Sequence, residues 1–428
     1  MTDGFSDAQR EPKCHTCAQP RNLGTGDGTL RHASTPRRAT GRPPHVKERH
    51  LLLAGCGHAH LDLLALFVGG IPRGWRVTLV VPQPDFHYSG MLPVIMAGAV
   101  PPSAADVPVA RIAAAAGIDV QLASVAALDV AGRAVTLDDG RLLAFDLLSL
   151  DVGSVAAATE IRGARTHAWT MRPFTSALAL LRRLDGVIAS RQPRDIVPVA
   201  VVGGGAAGVE VALALRARIA RAGLTPRVTM IDSQMRDGLP LPGFSPAFRR
   251  RAGDALISRC VELHGAGVQE VTNANVVLDD HAATLVPSVA TAWVTGAAPH
   301  PWLTASGLLC DARGFPLASE TLTLTNDTII FGAGDCITLR GHLQTPKAGV
   351  HAVRMAPVLA ANVHAVMQGQ APTAAYHPPR SFLALLSTSD GAALLRWNRV
   401  ALESRWAQHL KTWIDERYLH RYRMLAPP

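Results

Sequence analysis

Charged and aromatic side chains are both scarce: 18% of the residues are Asp, Glu, Lys or Arg, and 5% are Phe, Trp or Tyr. A chain of 428 residues with 48% apolar content reads as globular, and that length points to two domains with separate cores. No run of about 18 uncharged apolar residues occurs, so no membrane-spanning helix is expected. No apolar secretory leader opens the sequence, and the expected location is the cytoplasm. Six scattered cysteines do not suggest a disulfide framework.

The formal charge of +9 sits at the two ends. Residues 1–50 hold nine Lys/Arg against five Asp/Glu, and residues 396–423 hold seven against three. A nucleic-acid groove would carry its charge on a folded face, so no nucleic-acid partner is expected. Residues 1–49 read as a disordered basic extension, with no apolar period over 1–46. Asp3, Asp7 and Glu11 count against a transit peptide. Cys14 and Cys17 have metal or redox spacing, but only His15 and His32 lie near them. A zinc site needs four ligands, so the pair reads as inert tail and no metal is assigned.

From residue 50 onward strands and helices alternate. "HLLLAG" reads as a buried strand, 58–68 as an apolar helix and 76–81 as a second strand. A helix near 109–116 and short strands lead to "FDLLSLDVGS" at 145–154. After a helix over 174–190, "VPVAVVGGG" begins the same series again, roughly 150 residues later. Two βαβ units of nucleotide-binding type in one chain predict an α/β fold with two Rossmann-like domains.

Each unit opens with a glycine loop. The second supplies Gly203, Gly205 and Gly208 in full GxGxxG spacing, between a strand and a helix. Such glycines allow a tight turn and close approach to a pyrophosphate, and the helix N-terminus offers amides and a positive dipole end. Asp232 ends the next strand, placed for an adenine ribose, which favours NADH over NADPH; Arg236 nearby softens that preference. The first loop has Gly55 and Gly57, but His60 replaces the third glycine and Val81 stands where an acidic residue is expected. On spacing alone it reads either as a nucleotide site or as a turn kept for packing. His58 and His60 point to different helix faces, which disfavours a shared metal.

A third segment, "TIIFGAGDCITL", ends a strand in Gly332, Gly334 and Asp335, and "TPKAGVHAVRMAP" follows. Together with "GCGHAH", "YSGMLP", "LDVGS", "VVGGGAAGVE" and "WVTGAAPHPWL", these segments resemble the pyridine nucleotide–disulfide oxidoreductase superfamily of flavoproteins. The order and spacing match over residues 50–425. The nearest likeness is to NADH dehydrogenase-like members, especially the branch sometimes fused to selenide, water dikinase.

The resemblance implies an FAD domain from residues 50–165 and 305–378, an inserted NAD domain over 166–304, and a C-terminal region over 379–428. Gly55 and Gly57, with His58 and Ala59, would approach the FAD pyrophosphate. Gly153 and Gly334 would line the site, and Asp335 would bind the ribityl or phosphate region. Tyr88, Met91, Leu92 and Pro93 would run beside the flavin. Pro346, Lys347 and Ala348 would lead a helix N-terminus to its pyrimidine edge. Gly203, Gly205, Gly208, Asp232 and Gly296 would hold NADH. Glu210 matches a glutamate near the nicotinamide–flavin contact and is the candidate catalytic residue; its bland reading is a first-turn carboxylate suited to the helix dipole.

The implied activity is hydride transfer from NADH to FAD and on to a small-molecule acceptor. Two alternatives stand beside it: a flavoprotein oxidising a sulfur or selenium species without NADH, and a nucleotide-binding protein without turnover. Gly349, Val350 and Arg354 depart from the quinone-side pattern of type II NADH dehydrogenases, which counts against a quinone. No CxxxxC accompanies the first loop, so thiol–disulfide chemistry is not expected, and Cys56 and Cys336 read as small packing residues. In the C-terminal stretch Trp406, Leu410, Trp413, Ile414, Tyr418 and Tyr422 recur at helical spacing among basic residues. Such a helix either packs on the domain or lies on a membrane interface; packing is the favoured reading.

Overall fold

The computed structural model describes residues 48–327 and 329–427. The disorder expected over 1–46 and the Cys14/Cys17 pair lie outside the described residues. Arg49 opens the first strand.

The first unit runs β1 (Arg49–Ala54), α1 (His58–Val68), β2 (Trp75–Val81), β3 (Asp119–Leu122) and β4 (Leu147–Leu150). The second runs β5 (Ala168–Thr170), α2 (Phe174–Ala189), β6 (Ile196–Val202), α3 (Ala206–Arg221), β7 (Thr225–Ile231), β8 (Val261–His264) and β9 (Thr291–Trp293). The chain then returns with β10 (Ile330–Gly332) and α4 (Gly349–Met367). It closes with β11 (Ala384–Ser387), β12 (Ala393–Trp397), β13 (Val400–Ser404) and α5 (Arg405–Arg423).

Two five-stranded sheets result, β10-β4-β1-β2-β3 and β5-β9-β6-β7-β8, each parallel throughout. Strands covered on both faces read as continuous apolar runs, and β1 is buried from His50 to Ala54. In both sheets the strand before the glycine loop is central. Its chain successor lies on one side and a later strand on the other, which makes the crevice where open α/β sheets bind ligands. The arrangement matches the two-dinucleotide-domain architecture expected from the repeat.

Each sheet has its own core. Leu51, Leu53, Phe67, Phe331 and Leu359 belong to the first, together with Tyr422 of α5. The second joins Val199, Val201 and Leu213 to Leu92, Ile95 and Met96, which come from the first unit. Val155–Ala156 pair antiparallel with Ala297–Ala298 where the chain enters and leaves the second unit. Among the described residues α4 is the one helix long and apolar enough to cross a bilayer. It packs along α1, with Ala352, Met355, Leu359 and Val363 buried.

Candidate cofactor-binding site

The two glycine loops share a backbone path and differ in what fills them. In the second, Gly203 has φ +117°, and a Cβ there would lie 2.3 Å from the Val294 carbonyl oxygen. A Cβ at Gly208 would lie 1.9 Å from the Gly203 oxygen, so α3 packs hard against the turn. Gly205 meets nothing within 4 Å. Its open side at the start of α3 is the space a diphosphate needs. Asp232 accepts from the Gly204 amide at 3.0 Å and from the Gln234 amide at 2.9 Å. The carboxylate expected to read a ribose therefore also braces the loop.

In the first loop His60 is fully buried. One ring nitrogen is 2.7 Å from the Gly55 carbonyl and the other 2.8 Å from the Ser149 hydroxyl. Burial holds the ring neutral, with its pKa lowered to about 4 against the bond to Gly55. The imidazole thus fills the gap that a third glycine would close. Two residues after Ser149, just past the end of β4, Asp151 accepts from the amides of Ala59 and His60 at 2.8 Å each. Its carboxyl also abuts Gly57, whose Cβ would lie 2.5 Å from Oδ1. Gly55, at φ +79°, backs onto the Asp151 carbonyl.

Around this cradle lie Gly334 at φ +72°, whose Cβ would lie 2.9 Å from Asp151 Oδ1, and Asp335. Asp335 is paired with Arg172 at 2.9 Å, and Arg172 also donates to Ser154 at 2.5 Å. A narrow cleft is lined by Gly334, Asp335, Pro346, Lys347 and His351. Lys347 is spent on the protein itself: its ammonium donates to the Ile337 carbonyl and to Thr338 Oγ1 and lies over Phe315. Burial lowers it to about 8. The helix beyond begins at Gly349, with Ala348 as its N-cap.

A buried polar cluster joins α5 to the segment around Tyr88. Tyr88 donates to Asp415 at 2.8 Å, and Lys411 donates to Asp415 at 2.9 Å and to the Gly90 carbonyl at 3.1 Å. Tyr88 stacks on Tyr418, whose hydroxyl is 2.7 Å from His58 Nδ1. Burial, aided by Arg172, lowers His58 to about 4. Glu210 is the fifth residue of α3, one position past the first turn, so the dipole reading does not hold for it. Its carboxylate accepts from the Ser387 amide at 2.8 Å. Burial pushes Glu210 up to about 7, while Lys411 and the Ser387 amide pull the other way. Lys411 is pulled down by its own burial, but Glu210 and Asp415 carry it above its ordinary value.

The structure thus gathers Gly55, Gly57, His58, Ala59, Gly334 and Asp335 in one cradle, with Tyr88 and Met91 alongside. Gly203, Gly205, Gly208 and Asp232 form the other. Leu92 and Pro93 are buried, and Leu92 packs in the second core. Gly153, at φ +68°, and Gly296 meet nothing within 4 Å. The single apolar stripe expected on the C-terminal helix divides in two. Tyr422 is buried and Tyr418 partly so, beside Lys411 and Asp415, whereas Trp406 and Trp413 are 62% and 53% exposed. Sequence reasoning missed Ser149, Asp151, Arg172, Lys411 and Asp415. The alternation in "LSLD" and the i, i+4 pair inside an apolar stripe were the signals for four of them. No metal site was expected; Glu320, His342 and His377, from three distant segments, bring ligand-type atoms within 4.8 Å of one another.

The profile of the family described as pyridine nucleotide-disulphide oxidoreductase matches residues 50–365. The chain belongs to that family. Its members typically bind FAD and NAD(P)H. The chain is 27% identical to an NADH dehydrogenase-like protein of Mycobacterium tuberculosis over 304 residues, covering 68% of this chain and 70% of that one. It is 25% identical to the demethylphylloquinone reductase of Synechocystis over 298 residues, with 67% and 71% covered. Among solved structures, the sulfide:quinone oxidoreductase of Aquifex aeolicus superposes with a TM-score of 0.71 at 18% identity. That superposition covers 89% of this chain and 93% of the other, and at such identity the likeness concerns the fold.

Proposed function

We propose that this oxidoreductase takes hydride from NADH onto FAD and passes the electrons to a small-molecule acceptor, with quinones the first class to test. The observation that carries the reading is the pair of glycine loops at equivalent switch points, with Gly205 open to a diphosphate and Gly55, Gly57, Gly334 and Asp335 forming the second cradle. The name of the Synechocystis relative supports a quinone. Bound flavin would supply the two-electron chemistry, and the chain supplies position and charge.

In this reading Asp232 accepts from the adenine ribose and disfavours a 2′-phosphate. Asp335, held by Arg172, takes the polar chain of the flavin. Glu210 and the Lys411–Asp415 pair set the charge where the two cofactors meet, and Glu210 can hold a proton near pH 7. The exposed Trp406 and Trp413, with Arg417 over the Trp413 ring, support peripheral contact with a membrane that carries the acceptor. The motif likeness to the dikinase-fused branch keeps a sulfur or selenium donor as the rival.

The test is the visible spectrum of the purified protein before and after NADH is added without oxygen. Flavin absorption that bleaches supports the proposal. Flavin that bleaches with sulfide or selenide but not with NADH selects the rival, and protein that never takes up FAD overturns both.

A further inference from the structure

The two glycine loops have the same job in the reading above, yet only one of them is open. At Gly205 the space in front of α3 is clear, whereas at Gly57 the equivalent space holds the Asp151 carboxyl. That carboxyl accepts from two of the first amides of α1, Ala59 and His60, which are groups a nucleotide diphosphate would otherwise face. Its other oxygen, Oδ1, looks toward the glycines of the cradle, Gly57 and Gly334. An internal anion therefore lies where an external one is to be bound.

We propose that Asp151 makes the first glycine loop a proton-linked seat, in which the FAD diphosphate settles only when this carboxyl carries a proton. The inference rests on the FAD reading. A protonated carboxyl keeps Oδ2 as acceptor for the two amides and turns its O–H, on Oδ1, toward the diphosphate as a donor. An ionised one presents like charge at close range inside a dry site.

The groups packed around Asp151 leave this role to it. His58 and His60 from α1 are neutral above about pH 4. Cys56 in the loop and Cys336 after β10 are held as thiols, the latter pushed up to about 12. Asp335 adds negative charge and takes the nearby Arg172 for itself. Lys347 is bound to Ile337 and Thr338. From α5, Tyr418 carries a phenol raised above its ordinary range and bonded to His58. Among the described residues no cation is bonded to Asp151. Burial pushes Asp151 up to about 7 against the pull of the His60 and Ala59 amides, and Asp335 adds to the rise.

The sign follows from the order of events. Below about pH 7 the free carboxyl is already protonated, and FAD affinity is flat. Above it, each FAD must bring a proton to Asp151, and Kd rises by up to tenfold per pH unit.

The experiment titrates FAD into flavin-stripped protein by fluorescence quenching from pH 6 to 9, with wild type and Asp151→Asn compared. An asparagine accepts from the same amides and donates with its Nδ2 at every pH. Wild-type Kd should rise about 50-fold between pH 7 and 9, because the free carboxyl is already half ionised at pH 7, while the variant stays level. Calorimetry on the wild type at pH 8, in buffers of different ionisation enthalpy, should show about one proton taken up per FAD. A level wild-type profile, an unchanged slope in the variant, or no proton uptake overturns the proposal. Calorimetry decides the matter alone if the variant does not fold. Failure of the wild type to bind FAD even at pH 6 is a different result, because it removes the FAD reading itself.

Discussion

At Gly203 a side chain has nowhere to go, and at Gly205 it has open space. The two glycines of one motif therefore fail differently when changed. Gly203→Ala meets the Val294 carbonyl at an unfavourable φ and should cost about 3 kcal/mol, read as a lower melting temperature. Gly205→Val should lower stability only by what a poorer N-cap costs, about 1 kcal/mol, and raise the Kd for NADH by on the order of tenfold or more, about 1.4 kcal/mol. A loss of stability as large as that of Gly203→Ala would mean that Gly205 is a packing residue after all. At this scale the sequence was legible where a motif fixes both residue type and spacing. The glycines and Asp232 are of that kind. Asp151 was not, because its role depends on the amides of residues some ninety positions earlier, brought close by the pairing of β4 with β1.

The last helix inverts the usual amphipathic rule, with an ion pair inside and two tryptophans outside. A buried pair is costly to break from one side, since the remaining charge keeps no partner. Lys411→Met should leave Asp415 with Tyr88 alone and destabilise by about 3–5 kcal/mol. Adding Asp415→Leu should recover part of that loss, and denaturant melts of the singles and the double give the coupling directly. Equal, additive losses would show that the two residues do not act as a pair. Helical spacing made this element visible in the sequence, but spacing alone could not say which side faces inward. Tyr418 and Tyr422 follow α1, to which Asp62 binds Tyr422 and Arg421, while Trp406 and Trp413 follow the solvent.

Across the whole molecule the repeat of strand, glycine loop and helix announced the two sheets. What it did not announce is how firmly they are joined. Leu92, Ile95 and Met96 leave the first unit to pack in the core of the second, and α5 reaches Tyr88 of the first while β11 holds Glu210 of the second. The two sheets should therefore unfold together, and scanning calorimetry should give one transition; two separated transitions would show that these shared contacts are weak. The order of strands also sets a schedule for synthesis. β4 is buried along its whole length, and its outer neighbour β10 lies about 180 residues further on. At roughly 5–20 residues per second, that edge waits on the order of 10–40 s for its partner. The second sheet is complete by then and the first is not, so the nascent chain carries a strand with one open edge through about two-fifths of its own translation. Open edges of this kind invite foreign pairing. The yield of folded protein should accordingly depend on what shelters residues 147–150 until residue 330 has emerged.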